Sequence, residues 1–149
     1  MTMTTRPRST GHPGYSETHP CKRQTAEIAR KLVTTACAAW ELESLAEPAA
    51  LIVTELIANA ARHTRSRHIR IVVDRPSQTF IRVAVVDRSA QAPKLRAATS
   101  DDETGRGLLL IDAYADRWGY DLLGCAPARS PWGKRVWAEL RVKDFPRDN

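Results

Sequence analysis

Between Arg23 and Trp40 the apolar residues Ile28, Leu32, Val33 and Ala36 recur at helical spacing, which predicts a first amphipathic helix. A short turn, ELESLAEP, follows, and Pro48 stands where the first turn of a helix tolerates proline. The run Leu51, Ile52, Val53, Leu56 and Ile57 extends a second helix from Pro48 to His63. The period then drops to two. In HIRIVVD, Ile69, Ile71 and Val73 share a face; in FIRVAVVD, Ile81, Val83, Val85 and Asp87 do. With a turn at RPSQ between them, these runs predict an antiparallel hairpin. Arg88 to Thr104 show no period and read as a loop. GRGLLLIDAYADRW predicts a third helix, with Leu108, Leu109, Ile111 and Ala115 on its apolar side. WGYDLL and KRVWAELRV predict two more strands joined by the turn GCAPARSPWG, and Val136, Ala138, Leu140 and Val142 share a face of the last.

The order is α, α, β, β, long loop, α, β, β. Strands come mainly in antiparallel pairs and are not interleaved one for one with helices, which predicts an α+β, two-layer sandwich. A chain of 149 residues suggests one domain with a sizeable core. Residues 1–22 are rich in Thr, Pro, Gly and Ser and read as a disordered arm, and residues 144–149 as a frayed tail. No run of about 18 apolar residues suggests a membrane span, and no secretory signal is visible, so the cytoplasm is the expected location. Cys21, Cys37 and Cys125 are widely spaced with no CxxC, which argues against a zinc site or a disulfide framework. Cys37 falls in an apolar helical run and reads as core.

The formal charge of +6 leaves room for an acidic partner. The positive residues are spread, however, and only Arg62, Arg65, Arg67 and Arg70 cluster. No nucleic-acid-binding motif accompanies them.

Three stretches carry candidate chemistry. In ELIANAARH, Glu55 and Asn59 lie one helical turn apart inside an apolar run, and Arg62 and His63 extend their stripe. An amide oxygen suits Mg²⁺, which takes one or two protein groups alongside phosphates. A carboxylate one turn away can accept a proton from an attacking hydroxyl. The plain alternative is a solvated helix face. Asp87 keeps step with an inward-facing strand, where a carboxylate needs a partner such as a purine amino group; the alternative is a strand-end Asp turning into a loop. In TGRGLLLI, two glycines before a helix let backbone amides approach a phosphate; the alternative is an ordinary glycine-rich helix entry.

Taken together, LIVTELIANAARHT, VAVVDRSAQAP, TGRGLLLIDAYADRWGY and GKRVWAEL resemble the N box, the two glycine boxes and the last strand of the GHKL (Bergerat-fold) ATP-binding domains of histidine kinases, gyrase and mismatch-repair proteins. Within that group the chain is most similar to the small anti-sigma-factor serine/threonine kinases of actinomycetes. The resemblance implies a GHKL ATP-binding domain over residues 23–143, with a mixed, mainly antiparallel sheet. It implies Asn59 as the Mg²⁺ ligand, Glu55 as general base and Asp87 as acceptor from the adenine amino group of ATP. Arg62 and His63 would lie beside the nucleotide. Gly105, Arg106, Gly107 and Leu108 would wrap the phosphates, and the loop from Arg88 to Thr104 would be the lid. The first glycine box departs from the family's Asp-x-Gly-x-Gly: it reads Asp87-Arg88-Ser89-Ala90-Gln91, without glycine.

The resemblance implies a regulator that phosphorylates a Ser or Thr of a protein antagonist and sequesters a sigma factor, with homodimerisation as a family trait. The roughly 20 residues before the first helix are too few for the dimerisation helices of a sensor histidine kinase. A transducer domain of the gyrase kind is not visible. Two other readings stay open. The glycine-poor box allows a binding module with weak or no turnover, and the arginine cluster allows a nucleic-acid-binding domain. Trp118 is expected in the core. Trp137 falls on the outward side of its strand and is a candidate contact.

Overall fold

The computed structural model describes residues 4–6, 12–93, 106–124, 126, 127 and 129–142, with backbone alone for 4–6 and 106–109. Among the described residues it is an α+β sandwich of one six-stranded sheet and three helices. The strands are β1 (Thr4–Arg6), β2 (Gly14–Pro20), β3 (His68–Ser77), β4 (Phe80–Asp87), β5 (Arg117–Leu123) and β6 (Gly133–Arg141). The helices are α1 (Thr25–Ala39), α2 (Ala46–His63) and α3 (Arg106–Tyr114), with one 3-10 turn at Glu43–Leu45 before α2. The sheet order is β1-β2-β3-β4-β6-β5. Every pairing among the described residues is antiparallel, which corrects the expectation of a mixed sheet.

Both periodic readings of the chain are realised, except that Ile28, expected on the apolar face of the first helix, is exposed: the buried stripe of α1 runs through Ala29, Leu32, Val33 and Ala36 instead. Leu32, Val33 and Ala36 of α1, with Ile52, Val53, Leu56 and Ile57 of α2, are buried against Ile69, Ile71 and Val73 of β3 and Ile81, Val83 and Val85 of β4. Val136, Ala138 and Leu140 of β6 complete that layer. α1 packs on α2, β2 and β3; α2 packs on β4 and α3. Residues Glu43–His63 are long and apolar enough in composition to cross a membrane, yet their apolar side forms part of this core, as in the central helix of a soluble sandwich.

The N-terminal expectation is corrected. Gly14–Pro20 is not a disordered arm but a strand paired along its length with β3, and it pairs in turn with Thr4–Arg6. Its anchors come from elsewhere in the chain. The Trp40 indole N–H donates to the Pro13 carbonyl at 3.1 Å, and the Tyr15 ring lies 5.9 Å from the Trp40 ring. The Thr25 hydroxyl donates to the Pro20 carbonyl at 2.6 Å. Strand formation of this kind is decided by neighbours rather than composition.

Smaller differences follow from pairing. β3 runs on through Arg75 to Ser77, past the turn expected at RPSQ, by means of a register shift between Asp74 and Ser77. The third helix ends at Tyr114, and Arg117 already pairs with Glu139. The tail 144–149 lies outside the described residues.

Candidate functional site

Glu55 and Asn59 stand one turn apart on α2. Asn59 is buried in the helix layer. Glu55 is half-buried and lines a cavity of about 370 Å³ with Arg23, Thr54, Ala58, Arg62 and Leu110. Burial pushes the Glu55 carboxyl above its usual value, and the charges of Arg62 and Arg23 pull back against that rise. A carboxyl raised by desolvation is a stronger proton acceptor than an exposed one. α2 and α3 meet here, through Leu110 on α3.

Asp87 ends β4 on the inward face, its side chain only 1% exposed. It is not bare. Lys134, directly opposite on β6, is equally buried, and its Nζ donates to Asp87 Oδ1 at 3.1 Å. The Ser89 N–H donates to the same oxygen at 2.8 Å. Lys134 Nζ also reaches the Ser89 carbonyl at 3.3 Å. Together these contacts hold the loop that lacks glycine. The only non-glycine residue with positive φ among the described residues is Glu41, so Ser89 and Ala90 sit there in ordinary backbone conformations. Glycine is needed instead at Gly133, where a Cβ would stand 2.2 Å from the Asp87 carbonyl oxygen.

Lys134 is the site residue that sequence reasoning missed. Its signal was present: it lies two residues before Val136, so it keeps step with the inward face of β6 as Asp87 does on β4. Two opposite charges in phase with buried faces, on neighbouring strands, require each other. Leu122 pairs with Lys134 from β5, which sets Asp87, Lys134 and Leu122 in a row across three strands. Leu122 and Tyr120 remain substantially exposed and form an apolar ledge beside the charge pair.

A second, larger cavity of about 760 Å³ lies at the end of α2, lined by His63, Arg65, Ser66, Arg67, Arg88 and Ser89 among others. The Arg88 N–H donates to the Ser66 hydroxyl at 2.6 Å, which fastens the α2–β3 loop to the loop after Asp87. The arginine cluster expected from sequence is therefore divided. Arg62 faces the Glu55 cavity, Arg65 and Arg67 line the larger one, and Arg70 donates to the Ser16 hydroxyl at 3.1 Å.

The structure thus brings Glu55 and Arg62 to one cavity and His63 and the Asp87 loop to another; Asn59 and Asp87 line neither. Arg106, Gly107 and Leu108 begin α3, their side chains undescribed, while Gly105 and most of the expected lid lie outside the described residues. Trp137 stands on the outer face with Arg82 and Arg117 over its ring, at 5.5 and 5.8 Å. Trp118 packs partly against the core and donates to Asp112 Oδ1 at 3.0 Å.

Such an arrangement is that of an α+β sandwich with a polar stripe set into its helix layer. Residues 20–128 match the family model of the histidine kinase-like ATPase domain, and the protein belongs to that family. The match ends before β6, so Lys134 lies outside it. Comparison with curated proteins found no match. ATPase domains of this family bind ATP, generally with Mg²⁺, and membership supports an ATP-binding regulatory role. The residues present fit that ligand. Among the described residues no three His, Cys, Asp or Glu side chains gather into a self-sufficient metal site. A buried amide beside a carboxyl suits an ion completed by phosphate oxygens and water.

Proposed function

We propose that this chain is a cytoplasmic switch protein of the anti-sigma type, binding Mg-ATP and passing the γ-phosphoryl group to a Ser or Thr of a protein antagonist. The observation that carries the reading is the α2 stripe: the buried Asn59 amide, one turn from a carboxyl raised by burial that shares a cavity with Arg23 and Arg62. ATP supplies an activated phosphoryl group and Mg²⁺ neutralises its charge. Asn59 would hold the ion. Arg62 would offset phosphate charge. Glu55 would take the proton of the acceptor hydroxyl as its oxygen bonds the γ-phosphorus and the bond to the β–γ bridging oxygen breaks, leaving ADP. Asp87 would fix the base. The sigma factor held in the unphosphorylated state is the second partner in this reading.

The test is phosphoryl transfer from labelled ATP to a candidate antagonist. Glu55→Gln is expected to keep ATP binding within about two-fold and to lose transfer by ~10²-fold or more. Because burial raises Glu55, the wild-type rate should climb with pH through a value above the ordinary 4.5, and this dependence should vanish with Glu55→Gln. Undiminished transfer by Glu55→Gln would remove Glu55 from the mechanism. Loss of transfer with intact partner capture in every nucleotide state would favour a binding module instead.

A further inference from the structure

Going beyond the nucleotide reading, and standing without it, we infer that the cavity at the end of α2 docks an acidic segment of a protein partner, a stretch rich in Asp and Glu. The observation is the lining. Arg65 and Arg67 on the α2–β3 loop and Arg88 on the loop after β4 surround a space of about 760 Å³, with Ser66, Ser89 and Gln91 between them. Among the described residues no carboxylate lines it. Elsewhere on the sheet the cations are matched: Lys134 by Asp87, Arg135 by Asp121, and Arg82 and Arg117 by Glu139. Arg65, Arg67 and Arg88 make no ion pair with a described residue. Like charges gathered without internal compensation repel one another and concentrate anions from solution.

The two loops are held before any partner arrives. The Arg67 carbonyl accepts from the Cys21 N–H at 2.8 Å, which ties it to the end of β2. The Ser66 N–H donates to Thr64 Oγ1 at 3.4 Å, and the Arg88 N–H donates to the Ser66 hydroxyl at 2.6 Å. With the backbone already fixed, less ordering is lost on binding. The kind of anion follows from exposure and from the residue types present. Arg65, Arg67 and Arg88 are all exposed. One small anion at an exposed cation gains little against water and salt. A chain that carries several carboxylates engages the three guanidinium forks together, each fork matching a carboxylate in shape. A strand of nucleic acid would instead use aromatic faces on which to stack its bases. Among the described residues no Phe, Tyr or Trp lines this cavity.

The experiment follows the fluorescence anisotropy of a labelled oligoglutamate peptide as protein is added. Wild type should bind it saturably at about 0.02 M salt and lose it steeply toward about 0.2 M, as exposed charges do. Arg65→Gln/Arg67→Gln should weaken binding at least ~10-fold. Lys31→Gln/Arg141→Gln removes the same charge from α1 and from the end of β6 remote from Asp87, and should stay within about two-fold. All four positions are exposed, so both variants should keep the fold. Equal weakening by the two variants would reduce the effect to net charge and overturn the assignment, as would no binding at the lower salt. An oligothymidylate of equal charge that binds more tightly than the peptide, and is lost in Arg65→Gln/Arg67→Gln, would overturn it in favour of nucleic acid. Displacement of the peptide by saturating Mg-ATP would overturn it by making the cavity part of the nucleotide site. Peptide binding by a protein that fails to bind ATP would uphold the docking site and remove the nucleotide reading alone.

Discussion

Glu55 and Gly133 show how single residues set the terms of this site. Burial raises the Glu55 carboxyl above 4.5. A raised carboxyl favours the fold while protonated, so its contribution is full below pH 4.5 and is lost as pH rises through the shifted value. Glu55→Gln should therefore melt higher than wild type at pH 7 and alongside it at pH 4, as thermal scans at both pH values would show. A functional group held at a cost to stability is what such a difference reports. Gly133 has no such freedom. A methyl group there meets the Asp87 carbonyl oxygen at 2.2 Å, so Gly133→Ala must push β6 away from the end of β4. The expected loss is about 1–3 kcal/mol in urea unfolding, accompanied by weaker ATP binding because Asp87 and Lys134 move apart. Cys37 illustrates the opposite case. Burial, with some help from the Glu43 charge, lifts its thiol to about 11, which marks it as packing rather than chemistry.

At the scale of elements, helices α1 and α2 and the β3–β4 hairpin were legible because their apolar residues repeat cleanly at 3.6 or 2.0 residues. β2 was not. GYSETHP has no apolar alternation, and its order derives from Tyr15 and Pro13 meeting Trp40, 25 and 27 residues away. Tyr15→Ala should lower stability by about 1–3 kcal/mol, measured by urea unfolding. A change within a few tenths would mean that β2 is held by β3 alone. Glu55 and Asn59 were legible as a pair through helical spacing, but the partner of Asp87 was not. Its identity required the β4–β6 register, which sets Asp87 opposite Lys134 across 47 residues of sequence.

The whole molecule is a helix layer on one antiparallel sheet, with polar groups let into the buried layer where α2, α3 and the ends of β4 and β6 converge. Its outer face is organised differently. Glu139 pairs with Arg82 at 2.8 Å and Arg117 at 3.2 Å around Trp137, a mixed-charge surface in place of a second apolar layer. The family match and the polar stripe of α2 converge on nucleotide binding. Calorimetric titration of Mg-ATP into wild type and Asn59→Ala tests that claim most directly. The account predicts saturable binding by wild type, weakened at least ~10-fold, or about 1.4 kcal/mol, by removal of the one amide. No heat of binding at millimolar ATP, or equal binding by the two proteins, would contradict it.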